Sequence, residues 1–264
     1  MAGAAFEGLR DIVQPDADAP YVQGIPDTSM RLADAFIDAF FRYDWGEVPW
    51  LESEATYARL IREHGSLDQH LFIDSLLLRF AERRIEQPYL HLTDLLTPAV
   101  RALYSQGYDE FSLNLAHLQE RPDKALSCIR GTEERPISLL LHGDVEEVGC
   151  GLTHCIVDLH GNARDVGESA SFSEFRLHAA SGHVGRGAQG CAFLFPRAYY
   201  AEVSAAGSHN PGGYTMNLWY WGPEESRTVV IERKDRSKKS GDFFEQGNRI
   251  LIPDGNGGWR EVRP

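Results

Sequence analysis

The sequence has few features that would tie the protein to the cell exterior or to a membrane. Only 4 of its 264 residues are cysteine, and none forms a C-x-x-C pair, so we expect reduced thiols in a cytoplasmic protein rather than a disulfide framework. No apolar run reaches the roughly 18 residues that span a bilayer. The first residues also lack a basic segment followed by a long apolar one, which argues against a secretory signal.

The chain is short of positive charge as well. Lys and Arg total 26 against 39 Asp and Glu, a net charge of -13. An acidic surface repels phosphate groups, which argues against nucleic-acid and anionic-membrane partners. A nucleophile elbow, a phosphate-binding Walker loop and a dinucleotide-binding glycine motif are all absent. The sequence therefore contains no direct sign of an activity.

What the sequence does contain is a repeat with a step of 18 residues. Val-Gly pairs recur at 148–149, 166–167 and 184–185. A unit this short cannot bury its own apolar face, so its copies must stack on one another as a solenoid. One apolar column in this register holds Leu141, Leu159, Leu177 and Phe195, and another holds Leu139, Val157, Phe175 and Phe193. We assign the coils to residues 130–147, 148–165, 166–183 and 184–203, with Gly131 as the corner glycine of the first.

Alternation within each coil assigns the faces. Val157 and Leu159 alternate with polar Asp158 and His160, so the first pair is predicted inward and the second outward. The glycine after each corner valine is predicted to adopt a turn that a Cβ would block.

The whole chain is predicted to be an α+β fold. Three apolar side chains at helical spacing, Leu32, Phe36 and Phe40, indicate an amphipathic helix, and Thr97-Pro98 fits the start of the last helix of this unit. The fold is thus a helical unit packed on a short single-stranded β-helix with a C-terminal hairpin cap. The segments are an extended arm (1–26), the helical domain (27–110), the β-solenoid (111–204) and the strand cap with its hairpin (205–264).

The repeat resembles the GXGXG domain, a glycine-rich right-handed β-helix. The matching residues are the corner glycines Gly149, Gly167 and Gly185, the inward alternation, and the links at 143–145 and 161–163. This domain occurs in the glutamate synthase large subunit and in one of the subunits of formylmethanofuran dehydrogenase. The resemblance covers about a quarter of the chain and implies a right-handed coil with a structural role. Three positions depart from the family, which usually has glycine there: Cys155, Ser173 and Cys191.

A left-handed β-helix, as in the hexapeptide acyltransferases, also has 18-residue coils. Residues 166–171 and 184–189 fit one hexapeptide unit each, whereas 172–177 and 178–183 do not. This alternative implies an enzyme, an acyltransferase or a metal-dependent hydratase, with sites at trimer interfaces. The favoured hypothesis is a non-catalytic scaffold that binds a protein partner or forms a homo-oligomer.

The sharpest chemical candidate is a histidine ladder, His142, His160 and His178, at the same 18-residue step. Stacked imidazoles about 4.8 Å apart could share a metal ion such as zinc, or bind an anion when they are protonated. The plainer interpretation is a solvated row copied by the repeat, because a straight row converges poorly on a tetrahedral ion. No cofactor is required by the sequence, and zinc is the one metal this ladder suggests.

A candidate interaction surface comprises outward Asp158 and Arg176 together with Trp219 and Trp221. The aromatic strand is typical either of a cap on the solenoid core or of a carbohydrate-binding surface, so a glycan-binding module stays as a further alternative. Cys155 and Cys191 occupy inward positions and are interpreted as core filler rather than nucleophiles. Cys150, beside a corner, is predicted to be the more exposed thiol.

Overall fold

The protein is represented by a computed structural model that describes residues 25–42, 50–64, 67–84, 91–118, 120–179, 181–196, 200–204, 215–221, 228–233, 247–254 and 256–262. Nearly all of the predicted N-terminal arm lies outside these ranges. Four helices come first, α1 (Ile25–Arg42), α2 (Trp50–His64), α3 (Gln69–Arg84) and α4 (Leu92–Ser105). Among the described residues, no helix combines the length and the apolar character needed to cross a membrane.

The remaining described elements are mainly strands, which form two sheets and confirm the predicted α+β class. The strands are β1 (Glu110–Asn114), β2 (Ile137–His142), β3 (Val145–Val148), β4 (Cys155–His160), β5 (Ala163–Val166), β6 (Glu174–Leu177), β7 (Ser181–Val184), β8 (Ala192–Leu194), β9 (Tyr200–Ser204), β10 (Thr215–Trp221), β11 (Thr228–Arg233), β12 (Arg249–Pro253) and β13 (Trp259–Val262). Sheet A has the order β1-β2-β4-β6-β8-β12-β13, and sheet B has the order β11-β10-β9-β7-β5-β3. Single bridges, such as Thr153 with Ser171, form a narrow third face.

The predicted stacking is confirmed in the centre of the molecule. Leu141 pairs with Leu159, and Leu159 pairs with Leu177, in parallel register across β2, β4 and β6. All three side chains are fully buried. In the neighbouring column the rings of Phe175 and Phe193 stack with centroids 5.0 Å apart. The chain therefore forms a β-solenoid of about three turns with an apolar interior.

The corner glycines have the backbone conformation that the sequence predicts for them. Gly149, Gly167 and Gly185 have φ of 80°, 68° and 70°, in the left-handed region that side chains with a Cβ rarely adopt. A Cβ built on Gly149 would lie 2.6 Å from Cε1 of Phe175. This corner thus requires glycine for two reasons: its backbone angle is unfavourable for other residues, and the Phe175 ring leaves no space for a Cβ.

The first coil is longer than predicted. On the third face, Ser127 bridges to Cys150 and Arg130 to Thr153, a step of 23 residues rather than 18. The loop at 132–136 accommodates the extra residues without disturbing the register of sheet A. Gly131 donates its backbone N–H to Thr153 O, so it lies beside Thr153 and is not a Val-Gly corner. The assignment of Gly131 as the corner glycine was therefore wrong.

The helical unit packs on this first coil through α4. The predicted start of α4 at Thr97-Pro98 was wrong, because the helix begins at Leu92 and contains Pro98 in its interior. Thr97 serves the contact with the solenoid instead, since its Oγ1 accepts a hydrogen bond from the backbone N–H of Ser127 (3.2 Å). Further along α4, the Tyr104 hydroxyl donates to Arg135 O at 2.8 Å. Helices and solenoid share one continuous apolar core.

The C-terminal strands extend both sheets past the last coil. β12 pairs in parallel with β8 and forms a hairpin with β13, and β10 joins β9 and β11. The repeat slips here as expected, because His183 pairs with Glu202 at a step of 19. Buried Asn248 provides hydrogen bonds to backbone groups of the last coil: its side-chain amide N–H donates to Ala188 O, and its Oδ1 accepts from the backbone N–H of Cys191.

Candidate metal site on the outer face of sheet A

Two adjacent strands bring polar side chains together on the outer face of sheet A. Asp158 and His160 lie on β4, two residues apart and therefore on the same face. Arg176 on β6 pairs with Asp158, and His178 directly follows β6. Because inward Val157 and Leu159 are locked in the core, the register of the outward residues is fixed.

Three of these residues bring donor atoms close together. Asp158 Oδ1 lies 2.9 Å from His160 Nε2 and 2.8 Å from His178 Nε2. The donor atoms all lie within 4.8 Å of one another, and the two imidazole rings stack with centroids 4.0 Å apart. We call Asp158, His160 and His178 the donor trio.

The carboxylate oxygen at the centre of the trio lacks a hydrogen bond. Asp158 Oδ1 is shielded from solvent, and no donor among the described residues is aligned with it. The two histidine contacts are short but do not have hydrogen-bond directions. A buried acceptor without a donor is costly, and a cation among the three donor atoms would remove that cost.

The trio fits a transition-metal ion in donor type and in spacing. Zinc binds imidazole nitrogen and carboxylate oxygen at about 2.0–2.2 Å, which places neighbouring tetrahedral ligands about 3.3 Å apart. The two measured separations from Asp158 Oδ1 are therefore about half an ångström short, a difference that small side-chain rotations would remove. Three protein donors leave a fourth position for another ligand.

The remaining member of the predicted ladder stands outside the converging set. The His142 ring lies 5.0 Å from the His160 ring and is tilted by 33°, and its nitrogens do not join the trio. Arg176 is held by Glu174, whose Oε1 accepts from Nε and Nη2 at 2.7 Å each. Its Nη1 lies 3.9 Å from Asp158 Oδ2, so it adds positive charge beside the trio.

A cavity of about 310 Å³ adjoins the donor trio. It lies on the outer face of sheet A, under the start of α3, and Asp158 belongs to both the cavity wall and the trio. The other outward-facing residues on its wall come from five elements of the chain: His70, Glu110, Ser112, Ser138, Leu140, Ile156 and Arg176. Elements far apart in sequence therefore line the open space beside the candidate metal site.

The four residues predicted as an interaction surface lie on strands of two different sheets. Asp158 and Arg176 lie on sheet A, whereas Trp219 and Trp221 lie on β10 of sheet B. The Trp219 backbone pairs with Tyr200 and Val230, and the side chains of both tryptophans lie outside the described residues.

The thiols show no sign of activation for catalysis. Burial raises the pKa of Cys155 to about 12 and also raises that of Cys191. Cys150 is half-buried rather than exposed, and burial together with Glu147 raises its pKa to about 11. Cys128 is the exposed thiol. Cys150, Cys155 and Cys191 therefore lack the low pKa that a nucleophilic cysteine needs.

Alkylation should follow this order. With iodoacetamide at pH 8, we expect Cys128 to react first and Cys150 much more slowly, because only the exposed thiolate attacks the reagent. Cys155 and Cys191 should react only after unfolding in guanidinium. Peptide mass spectrometry over time measures each rate, and rapid labelling of Cys155 in the folded protein would contradict its placement in the core.

The sequence prediction missed Asp158 as a candidate metal ligand, although a signal was present. Asp158 and His160 share a face by simple strand alternation, so the pair is readable as Asp-x-His on an outward strand. The contribution of His70 and Ser112 to the adjoining cavity had no local signal, because it depends on how α3 packs over β1. No family model, no curated protein and no solved structure matches this chain.

Proposed function

We propose that the protein is a non-catalytic β-solenoid scaffold that binds a divalent transition-metal ion on its outer face. The observation that carries the proposal is the convergence of Asp158 Oδ1, His160 Nε2 and His178 Nε2 on strands of fixed register. Two imidazoles and a carboxylate suit zinc or nickel better than calcium or magnesium, which prefer oxygen ligands.

Metal binding should raise the melting temperature. At an ion concentration of 100 times Kd, binding to the folded state adds about 2.7 kcal/mol. For a chain of this size, that is a rise of about 5 to 10 °C. We expect this rise with zinc or nickel in the wild type and its loss in His160→Ala, His178→Ala and Asp158→Asn, measured by differential scanning calorimetry.

His142→Ala is the matched control, because it removes an imidazole of the same ladder that stands outside the trio. It should keep the rise. If His142→Ala abolished the rise as completely as His160→Ala, the straight ladder rather than the trio would be the binding set. If neither zinc nor nickel changed the melting temperature of the wild type, the proposal itself would be refuted.

A metal-dependent hydratase is the second candidate function, and one observation favours it. Three protein donors leave an ion an open position at which water can be activated. The donors all come from one chain, so this enzyme would need no trimer interface. Against it, Glu174 is committed to Arg176, and Glu110, the other carboxylate on the cavity wall besides Asp158, stands outside the donor trio. Zinc-loaded protein that hydrates CO₂ or turns over acyl-coenzyme A, with the activity lost in His160→Ala, would replace the scaffold by an enzyme.

The finer parts of the proposal rest on the sequence. A GXGXG-type, right-handed coil is supported by the recurring Val-Gly corners, and a protein partner or a homo-oligomer is the expected use of a rigid scaffold. A cytoplasmic location is supported by the free state of all four cysteines. Light scattering on the purified protein measures the oligomeric state, and a tight co-purifying protein would identify the partner.

A further inference from the structure

The cavity beside the donor trio has the size of a small-molecule site. Its volume of about 310 Å³ is at the lower end of the range that ligand pockets occupy. Asp158 connects it to the metal site, since one carboxylate both lines the cavity and contributes Oδ1 to the trio. A ligand in the cavity would therefore lie next to the ion, and this inference rests on the proposed metal binding.

The lining of the cavity combines an apolar wall with a few polar groups. Outward Leu140 and Ile156 are half-buried and provide apolar surface, while Ser112 and Ser138 provide hydroxyl groups. Arg176 stands at the side nearest the trio, with Nη1 3.9 Å from Asp158 Oδ2. This distribution suits a molecule with a short apolar part and one polar end directed at the ion.

The charge of the polar end follows from the charges around it. Without the ion, the carboxylates of Asp158 and Glu110 repel an anion from the cavity. A divalent ion on the trio reverses this balance, because it neutralises Asp158 and leaves Nη1 of Arg176, whose Nε and Nη2 are held by Glu174, as an additional anion partner. Arg176 has planar N–H geometry that suits a carboxylate, and a carboxylate oxygen is also a good ligand for the open position on the ion.

We infer that the metal-loaded protein binds a small aliphatic carboxylate in this cavity, with one carboxylate oxygen on the ion and the other facing Arg176. The aliphatic part lies against Leu140 and Ile156. Metal and carboxylate are thermodynamically coupled, because each improves the charge balance for the other. The solenoid thus holds a ligand whose binding depends on its metal.

Cobalt(II) separates the two binding events in one experiment. Its visible absorption bands appear when the ion enters a protein site and shift when a further ligand joins it. We expect bands on adding Co²⁺ to the wild type, and a shift of those bands on titration with butyrate. Butyramide, which has the same shape without the charge, should cause no shift.

Three variants locate the carboxylate. Ser138→Leu narrows the cavity, and Arg176→Gln removes the guanidinium; neither variant replaces a member of the trio. Both should keep the cobalt bands and weaken the butyrate response at least tenfold. Ala192→Leu is the matched control, because it adds similar bulk to the outer face of sheet A outside this cavity, and it should respond like the wild type.

Each contrary outcome has its own meaning. If the cobalt bands appeared but did not shift on addition of butyrate, the carboxylate site would be refuted and the metal site would remain supported. If Ser138→Leu and Arg176→Gln responded to butyrate as strongly as the wild type does, the butyrate bound to the ion would lie in solvent rather than in the cavity. A response to inorganic phosphate at lower concentration than to butyrate would overturn the carboxylate class. The absence of cobalt bands would remove the metal site and this inference with it.

Discussion

Replacing Leu159 by aspartate is expected to unfold the solenoid. Leu159 is fully buried between Leu141 and Leu177, so the substitution removes a core side chain, at about 2–5 kcal/mol. It also places a charge without a partner in the apolar interior, where either the charge or its protonation adds several kcal/mol. The sum approaches the whole stability of a typical domain, about 5–15 kcal/mol.

The neighbouring residue gives the control. The side chain of His160 lies on the outer face and is 40% exposed, so His160→Asp brings no charge into the core. In metal-free protein it should cost only the repulsion between the new carboxylate and Asp158, about 1 kcal/mol. Urea unfolding followed by circular dichroism compares the two variants. Equal losses of stability would mean that the inward and outward faces of β4 have been exchanged.

Replacing Gly149 by alanine should give the second-largest loss. The left-handed backbone of this corner, with φ of 80°, costs a residue with a Cβ about 1–2 kcal/mol. The new methyl group would also meet Cε1 of Phe175 at 2.6 Å, and overpacking a core costs about 1–3 kcal/mol. The ring cannot swing aside freely, because it stacks on Phe193. We expect a total loss of about 2–5 kcal/mol in urea unfolding.

Gly257→Ala separates the two contributions. Gly257 has nearly the same backbone angle, 85°, but a Cβ there would have no atom within 4 Å. This variant should lose only the backbone cost of about 1–2 kcal/mol. If the two alanine variants were equally stable, the contact between the corner and Phe175 would not matter to the fold.

The central solenoid was predictable because its information is local and repeated. Val157 and Leu159 alternate with polar residues, and the same pattern returns 18 residues later, so one rule fixes both the faces and the stacking. Hydrophobic burial then selects the register, since a slip by one residue would place Asp158 inside. The columns through Leu159 and Phe175 therefore follow from the sequence.

The sequence predictions that were wrong or incomplete depend on tertiary contacts that leave no local sequence pattern. The longer first coil was missed because its extra residues form a loop that leaves the register of sheet A intact, while Gly131 by chance keeps the 18-residue step. The start of α4 was misplaced because Thr97-Pro98 fits a helix start locally, whereas its hydroxyl is used to contact Ser127. The cavity beside the donor trio required knowing where α3 packs.

The loop at 132–136 shows where this architecture tolerates changes in length. An insertion at a corner bulges outward and leaves the paired strands in place. One extra residue inside β4, in contrast, would move every following side chain of the strand to the opposite face of the sheet. Gain or loss of a complete coil would likewise preserve all the pairings above and below it. Among proteins related to this chain, differences in length should thus be confined to loops at the corners and to the number of complete coils.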